Sequence, residues 1–119
     1  MNILEQILEV KQQEMVNMHP CMGDVDPYDT MSLKYALSVP GISVIAEIKM
    51  KSPSEGNILQ NADPVQIARD YQSAGAQAIS VLTDEKFFGG NIEILEAVKK
   101  EVSIPVLQKD FIINDHQIM

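Results

Sequence analysis

Cysteine, positive charge, clustered histidine and long apolar runs are all scarce in this 119-residue sequence. With one cysteine, Cys21, no internal disulfide can form, and the chain fits a reducing cytoplasm. Cys21 follows His19-Pro20 in a polar stretch, a setting for a plain structural cysteine more than for a catalytic thiol. Nine Lys and Arg against 17 Asp and Glu leave a formal net charge of -8. Such a chain has no basic patch to offset phosphate repulsion, so nucleic acid is excluded as a partner, as is an anionic membrane surface. No apolar run approaches the ~20 residues of a membrane helix. Met1 to Val10 is acidic and too amphipathic for the apolar core of a signal peptide. His19 and His116 are isolated, so no cluster with ligand spacing calls for a metal. Gly89-Gly90 is no nucleotide fingerprint, and no cofactor is implied.

What is present is organised around Ile45 to Gly56, IAEIKMKSPSEG. Ser43 to Ile48, SVIAEI, is almost uniformly apolar apart from Ser43 and Glu47. A continuous run of this kind predicts a strand covered on both faces, as in a parallel sheet. Glu47 and Lys49 stand at its end, two residues apart, and so on the same side of an extended chain. Ser52-Pro53-Ser54 then forces a turn. Charges at the carboxyl end of a buried parallel strand occupy the place where α/β folds put their active sites. They also suit a structural ion pair at the rim of a sheet, and spacing alone leaves the two readings open.

At 119 residues the chain can bury one core. Asn2 to Met18 carries Ile3, Leu4, Ile7, Leu8, Val10 and Met15 at helical spacing, with Asn2 as N-cap, and predicts an amphipathic helix packed on its own domain. Pro20 to Thr30 reads as loop, and Ser32 to Ala36 as a short helix before Pro40-Gly41. Asp63-Pro64 opens a helix whose apolar face is Val65, Ile67, Ala68, Tyr71 and Ala74, stopped by Gly75. Ala78 to Leu82 is a second buried strand, ending in Thr83-Asp84-Glu85-Lys86. Ile92 to Val102 is a helix with Ile92, Leu95, Val98 and Val102 inward and Lys99 and Lys100 in its last turn. Ile104 to Leu107 is a third strand, followed by Gln108-Lys109-Asp110-Phe111, and Asn114 is placed to cap a further helix, with His116 on its solvent side. Strand, helix, strand, helix, strand predicts right-handed βαβ units and a parallel sheet with charge repeated at one end.

The signature Glu47, Lys49, Ser52, Pro53, Ser54 and Gly56 resembles that of indole-3-glycerol-phosphate synthase, a (β/α)8 TIM-barrel family of tryptophan biosynthesis. Met50 and Glu55 depart from it, since the family usually carries a small or basic residue at the first and often lysine at the second. The resemblance runs on through DPVQIARDYQSAGAQAISVLTDEKFFGG and IPVLQKDFIIN. It implies a carbon-carbon lyase that closes a ring, with loss of carbon dioxide and water, on a phosphorylated, opened pentulose attached to anthranilate. By resemblance, Lys109 is the general acid toward the carbonyl oxygen, and Glu47 and Lys49 form a paired site for proton transfer and anion binding. Ser52 and Pro53 would shape the first loop, and Phe88 and Phe111 would pack on the aromatic ring. The residue types suit the chemistry: a carbonyl attacked by a weak carbon nucleophile needs a proton donor or a cation at its oxygen.

A complete barrel of this kind needs ~200 residues, and this chain supplies about the first three strands. The expected division is residues 1–40 as an N-terminal helical extension and loop, and 41–119 as a partial barrel truncated in the following helix. The family's second catalytic carboxylate, asparagine-arginine pair and phosphate-binding loops have no counterpart here, which suggests an incomplete and inactive fragment. Two alternatives stand beside it: a non-catalytic half-barrel that self-associates through open sheet edges, and a related phosphosugar barrel such as phosphoribosylanthranilate isomerase. The latter uses a cysteine-aspartate pair, and no strand end here carries a cysteine.

Overall fold

The computed structural model describes residues 1–18 and 30–118. The expected loop from Pro20 to Thr30 lies outside the described residues except for Thr30, and so do His19 and Cys21. Among those described, the order is α1 (Ile3–Val16), α2 (Leu33–Ala36), β1 (Ile45–Ile48), β2 (Lys51–Ser52), β3 (Gly56–Asn57), α3 (Pro64–Ser73), β4 (Ala78–Leu82), α4 (Ile92–Glu101), β5 (Val106–Lys109) and a 3-10 turn at Asp115–Gln117. They fall into two compact units, residues 1–29 with 111–119, and residues 30–110. The division expected at residues 40 and 41 falls inside the second of these.

In the larger unit, β1, β4 and β5 form a parallel sheet in the order β1-β4-β5. Helices α3 and α4 return the chain between strands, as parallel pairing requires. Both helices pack on one face, where Ile48, Ile79 and Val81 meet Ala68, Val98 and Val102, with Ile67, Tyr71, Ile94 and Leu95 around them. Each helix begins where a side chain can satisfy its free amides. Asp63 accepts from the Val65 N–H at 3.0 Å ahead of Pro64, and Asn91 accepts from the Ile94 N–H at 2.8 Å. Gly75, at φ +100°, ends the run of α3 in a conformation that a Cβ would resist. Arg69 and Glu101 pair between the two helices.

Several expectations shift. β4 is buried along its whole length, as expected of a central strand, but β1 is not covered on both faces: Ile45 is 43% exposed. β1 is an edge strand, and only its Ile48 side lies under the helix layer. Ile92 points outward, at 47% exposure, because Asn91 caps the helix and the inward stripe starts at Ile94. Ala74 is also exposed, as the C-cap of α3. The third strand starts two residues later than expected, so that Lys109 is the last residue of β5 instead of lying in the loop. The signature turn is itself a small antiparallel ladder, β2 with β3, which the sequence reading missed.

In the smaller unit, α1 opens with a capping box in which the Asn2 side chain accepts from the Glu5 N–H and the Glu5 carboxylate accepts from the Asn2 N–H. Its apolar face is narrower than the spacing suggested: Ile7 is buried, whereas Ile3 and Leu4 are exposed. Lys11 is buried, with its ammonium 3.0 Å from Glu14. Asn114 caps the turn after it by accepting from the His116 N–H, and His116 is exposed. Among the described residues no helix is long and apolar enough to cross a membrane.

Candidate functional site

The carboxyl end of the sheet is where charge collects. Glu47 is the third residue of β1, and its side chain leaves the sheet on the face away from Ile48 and the helices. Lys49 follows one residue past the strand and returns its ammonium to 3.3 Å from the Glu47 carboxylate. Lys109, from the end of β5, places its ammonium 2.8 Å from the other oxygen of the same carboxylate. One carboxylate thus holds two lysines that lie 60 residues apart along the chain. Tyr71 of α3 fixes the backbone at this point, its hydroxyl donating to the Glu47 carbonyl at 2.9 Å.

The Glu47 side chain is 30% exposed, so partial burial works against its charge and pushes its pKa up. The hydrogen bond and positive charge of Lys109, and then those of Lys49, outweigh burial and hold the carboxyl below its ordinary range. The carboxylate thus stands between two lysines, a locally cationic cluster in an otherwise acidic chain. That arrangement can attract an anion, and it can present an N–H donor to an oxygen on which negative charge develops.

The loops around this cluster are tied to one another. The Ser52 hydroxyl is buried and accepts from the Glu55 N–H at 3.1 Å, closing the turn that carries the exposed Pro53. The Lys51 N–H donates to the Phe88 carbonyl at 3.2 Å, so the loop after β1 is joined to the loop after β4, where Phe88 is half-buried. The charges expected at the end of β4 prove to be structural in part. Asp84 is fully buried and accepts from the Phe87 N–H at 2.9 Å, and Thr83 donates to Asp110 at 2.8 Å while its amide donates to the Lys109 carbonyl. These bonds anchor the backbone that carries Lys109. Phe111 belongs to the smaller unit, where it is half-buried and its carbonyl accepts from Gln117 at 3.0 Å.

The structure therefore brings together Glu47, Lys49 and Lys109, and joins the loops of Ser52 and Phe88 beside them. Sequence reading passed over Tyr71 and Thr83 as, respectively, a helix-face and a loop residue. It also passed over Ser80, although a lone hydroxyl inside the buried run AISVL was a visible signal.

Parallel βα units with polar groups gathered at the carboxyl ends of the strands are the architecture of the TIM-barrel class of proteins. The profile of the indole-3-glycerol phosphate synthase family matches residues 4–119. A curated indole-3-glycerol phosphate synthase from Leptospira interrogans serogroup Icterohaemorrhagiae serovar copenhageni is 45% identical over 116 residues, covering 98% of this chain and 45% of the relative. Those of Mycolicibacterium gilvum and Saccharopolyspora erythraea are 52% and 47% identical over 92 residues, covering 77% of this chain and 33% of each relative. The chain belongs to the indole-3-glycerol phosphate synthase family. It spans between a third and a half of the length of the curated relatives it matches.

Proposed function

We propose that this chain supplies the Glu47, Lys49 and Lys109 part of an indole-3-glycerol phosphate synthase site. The substrate is 1-(2-carboxyphenylamino)-1-deoxyribulose 5-phosphate, and the reaction is ring closure followed by decarboxylation and dehydration. The observation that carries the reading is the bridge of Glu47 to both lysines at the carboxyl ends of β1 and β5. Lys109 donates its proton to the sugar carbonyl oxygen as the aromatic carbon attacks, so that charge on that oxygen never develops unsupported. Glu47 holds Lys109 in place until the substrate arrives. Lys49, on the other side of the carboxylate, is placed to hold the anionic carboxylate or phosphate. Ser52 and Pro53 shape the loop over the site, and Phe88 offers apolar contact to the anthranilate ring.

The test is an exchange: this chain replaces the matched residues of the Leptospira relative, and indole-3-glycerol phosphate is followed by its fluorescence. The expected result is a folded chimera that forms product. A folded chimera with no activity would overturn the assignment of this site.

A second reading, self-association, is favoured by one observation. On the sheet face without α3 and α4, Ile45 and Leu107 are 43% and 41% exposed at the two open edges. Light scattering across a range of concentrations is then expected to show mass rising above 13.2 kDa. Mass constant at that of a single chain would remove this reading.

A further inference from the structure

Ser80 lies on the central strand, in register with Glu47 on β1 and with Leu107 on β5. Lys109 is in register with Leu82, two residues further along β4. In-register neighbours in a parallel sheet, and residues two apart on one strand, share a face. Glu47, Ser80 and Lys109 therefore project from the same side of the sheet. Their bridge joins the two outer strands, so it crosses β4 at the level of Ser80 and Leu82. Ser80 is only 4% exposed, and its hydroxyl has no hydrogen-bond partner among the described residues. A buried hydroxyl without a partner is unfavourable, and an alanine at this position would carry no such cost.

We propose that Ser80 is the reserve hydrogen-bond donor of Glu47: when Lys109 leaves the carboxylate to reach a substrate oxygen, the Ser80 hydroxyl donates to Glu47 in its place. Ser80 is thus a positioning residue that keeps Glu47 ionised while Lys109 is engaged. Among the described residues, the Glu47 carboxylate pairs with Lys49 beyond the end of its own strand and with Lys109 from β5, while Tyr71 from α3 donates to the Glu47 backbone carbonyl on the other face. β4 itself, AISVL, offers no ionisable side chain, so Ser80 is the one polar side chain that the central strand presents to this face.

The proposal rests on the reading of Glu47 and Lys109 as a working pair, but its test needs no turnover. The 119-residue chain, carrying carboxyl-labelled glutamate, is titrated by NMR, with the Glu47 signal assigned by Glu47→Gln. Lys109→Met imitates the departure of the lysine. In that background Ser80→Ala is expected to raise the Glu47 midpoint by about one pH unit, the worth of a hydrogen bond to a carboxylate. Ser80→Thr, which retains the hydroxyl, is expected to leave it in place. Should alanine loosen the strand, Ser80→Cys, of similar size and a weaker donor, is expected to give an upward shift as well. Equal midpoints with serine, alanine and cysteine would overturn the proposal, whatever the chimera's activity.

Discussion

Lys109→Ala in the exchange chimera is expected to lower turnover by ~10² or more while leaving the fold intact. Intact folding is expected because the Lys109 side chain takes no part in the apolar core, which lies on the opposite face among Ile48, Val81 and Val98. The loss is expected because nothing else in the described cluster can reach the same place: Lys49 approaches Glu47 from the end of β1, two strands away from β5. Glu47→Gln removes the charge that holds both lysines and is expected to cost a similar factor, with the two losses far from additive since the residues act as one unit. Turnover measured under saturating substrate, with circular dichroism as the check on folding, decides the matter. A Lys109→Ala chimera as fast as its parent would remove the general-acid assignment. The sign of the pH dependence follows from Glu47. Its carboxyl is held below the ordinary range once the lysines outweigh burial. The bridge's contribution to stability is therefore fully present above the unfolded-chain carboxylate value and is lost only as pH falls through the lowered folded-state value. The acid limb of activity is expected to lie below the usual carboxylate range for the same reason.

Gly90→Ala is expected to be the most damaging single substitution for folding, at about 3 kcal/mol or more. A Cβ on Gly90 would stand 1.8 Å from the Leu82 carbonyl oxygen and 2.6 Å from its carbon, backbone atoms of the central strand. No rotamer change can relieve a clash between two backbones. The Gly90 N–H is also committed, donating to the Asp84 carbonyl at 2.9 Å, so the loop cannot simply lift away. Gly41→Ala is the control: it has φ +96° but open space around the added carbon, and is expected to cost about 1 kcal/mol of backbone strain. Urea unfolding of the two variants separates steric from conformational cost. A Gly90→Ala chain as stable as Gly41→Ala would mean that the loop does not close on β4.

The elements most legible in the sequence were those with local chemical punctuation. Asp63-Pro64 and Gly75 bracket α3, Asn2 opens α1, and the run AISVL, apolar but for Ser80, marks the strand with neighbours on both sides. β1 was misjudged because an apolar run does not reveal which of its faces meets a helix; Ile45 and Ile48 look alike in the sequence but differ completely in burial. Ile92 falls outside the inward stripe because it directly follows the cap at Asn91, a position that apolar periodicity alone does not reveal. The site was legible to the extent that it resembled a family: Glu47, Lys49 and Lys109 were named together, but that one carboxylate holds both lysines depends on a 62-residue separation that no spacing rule spans. Tyr71 and Thr83 read only as a helix-face and a loop residue, and Ser80 as part of a buried run, because their partners are brought to them by strand register and packing.

The strands pair in the order in which the chain presents them, β1 with β4 and then β4 with β5. Each new strand finds its partner already made, so the sheet can grow at one edge during synthesis without waiting for a distant segment. The bridge from Glu47 to Lys109 joins the first of these strands to the last, and cannot form until β5 has docked. It also reads how β5 docked: a slip of one residue would turn Lys109 toward the helices and bring Gln108 or Asp110 to the carboxylate. The pair proposed to handle protons is in this sense a proofreader of assembly, rewarding only the register in which the last strand is correctly seated.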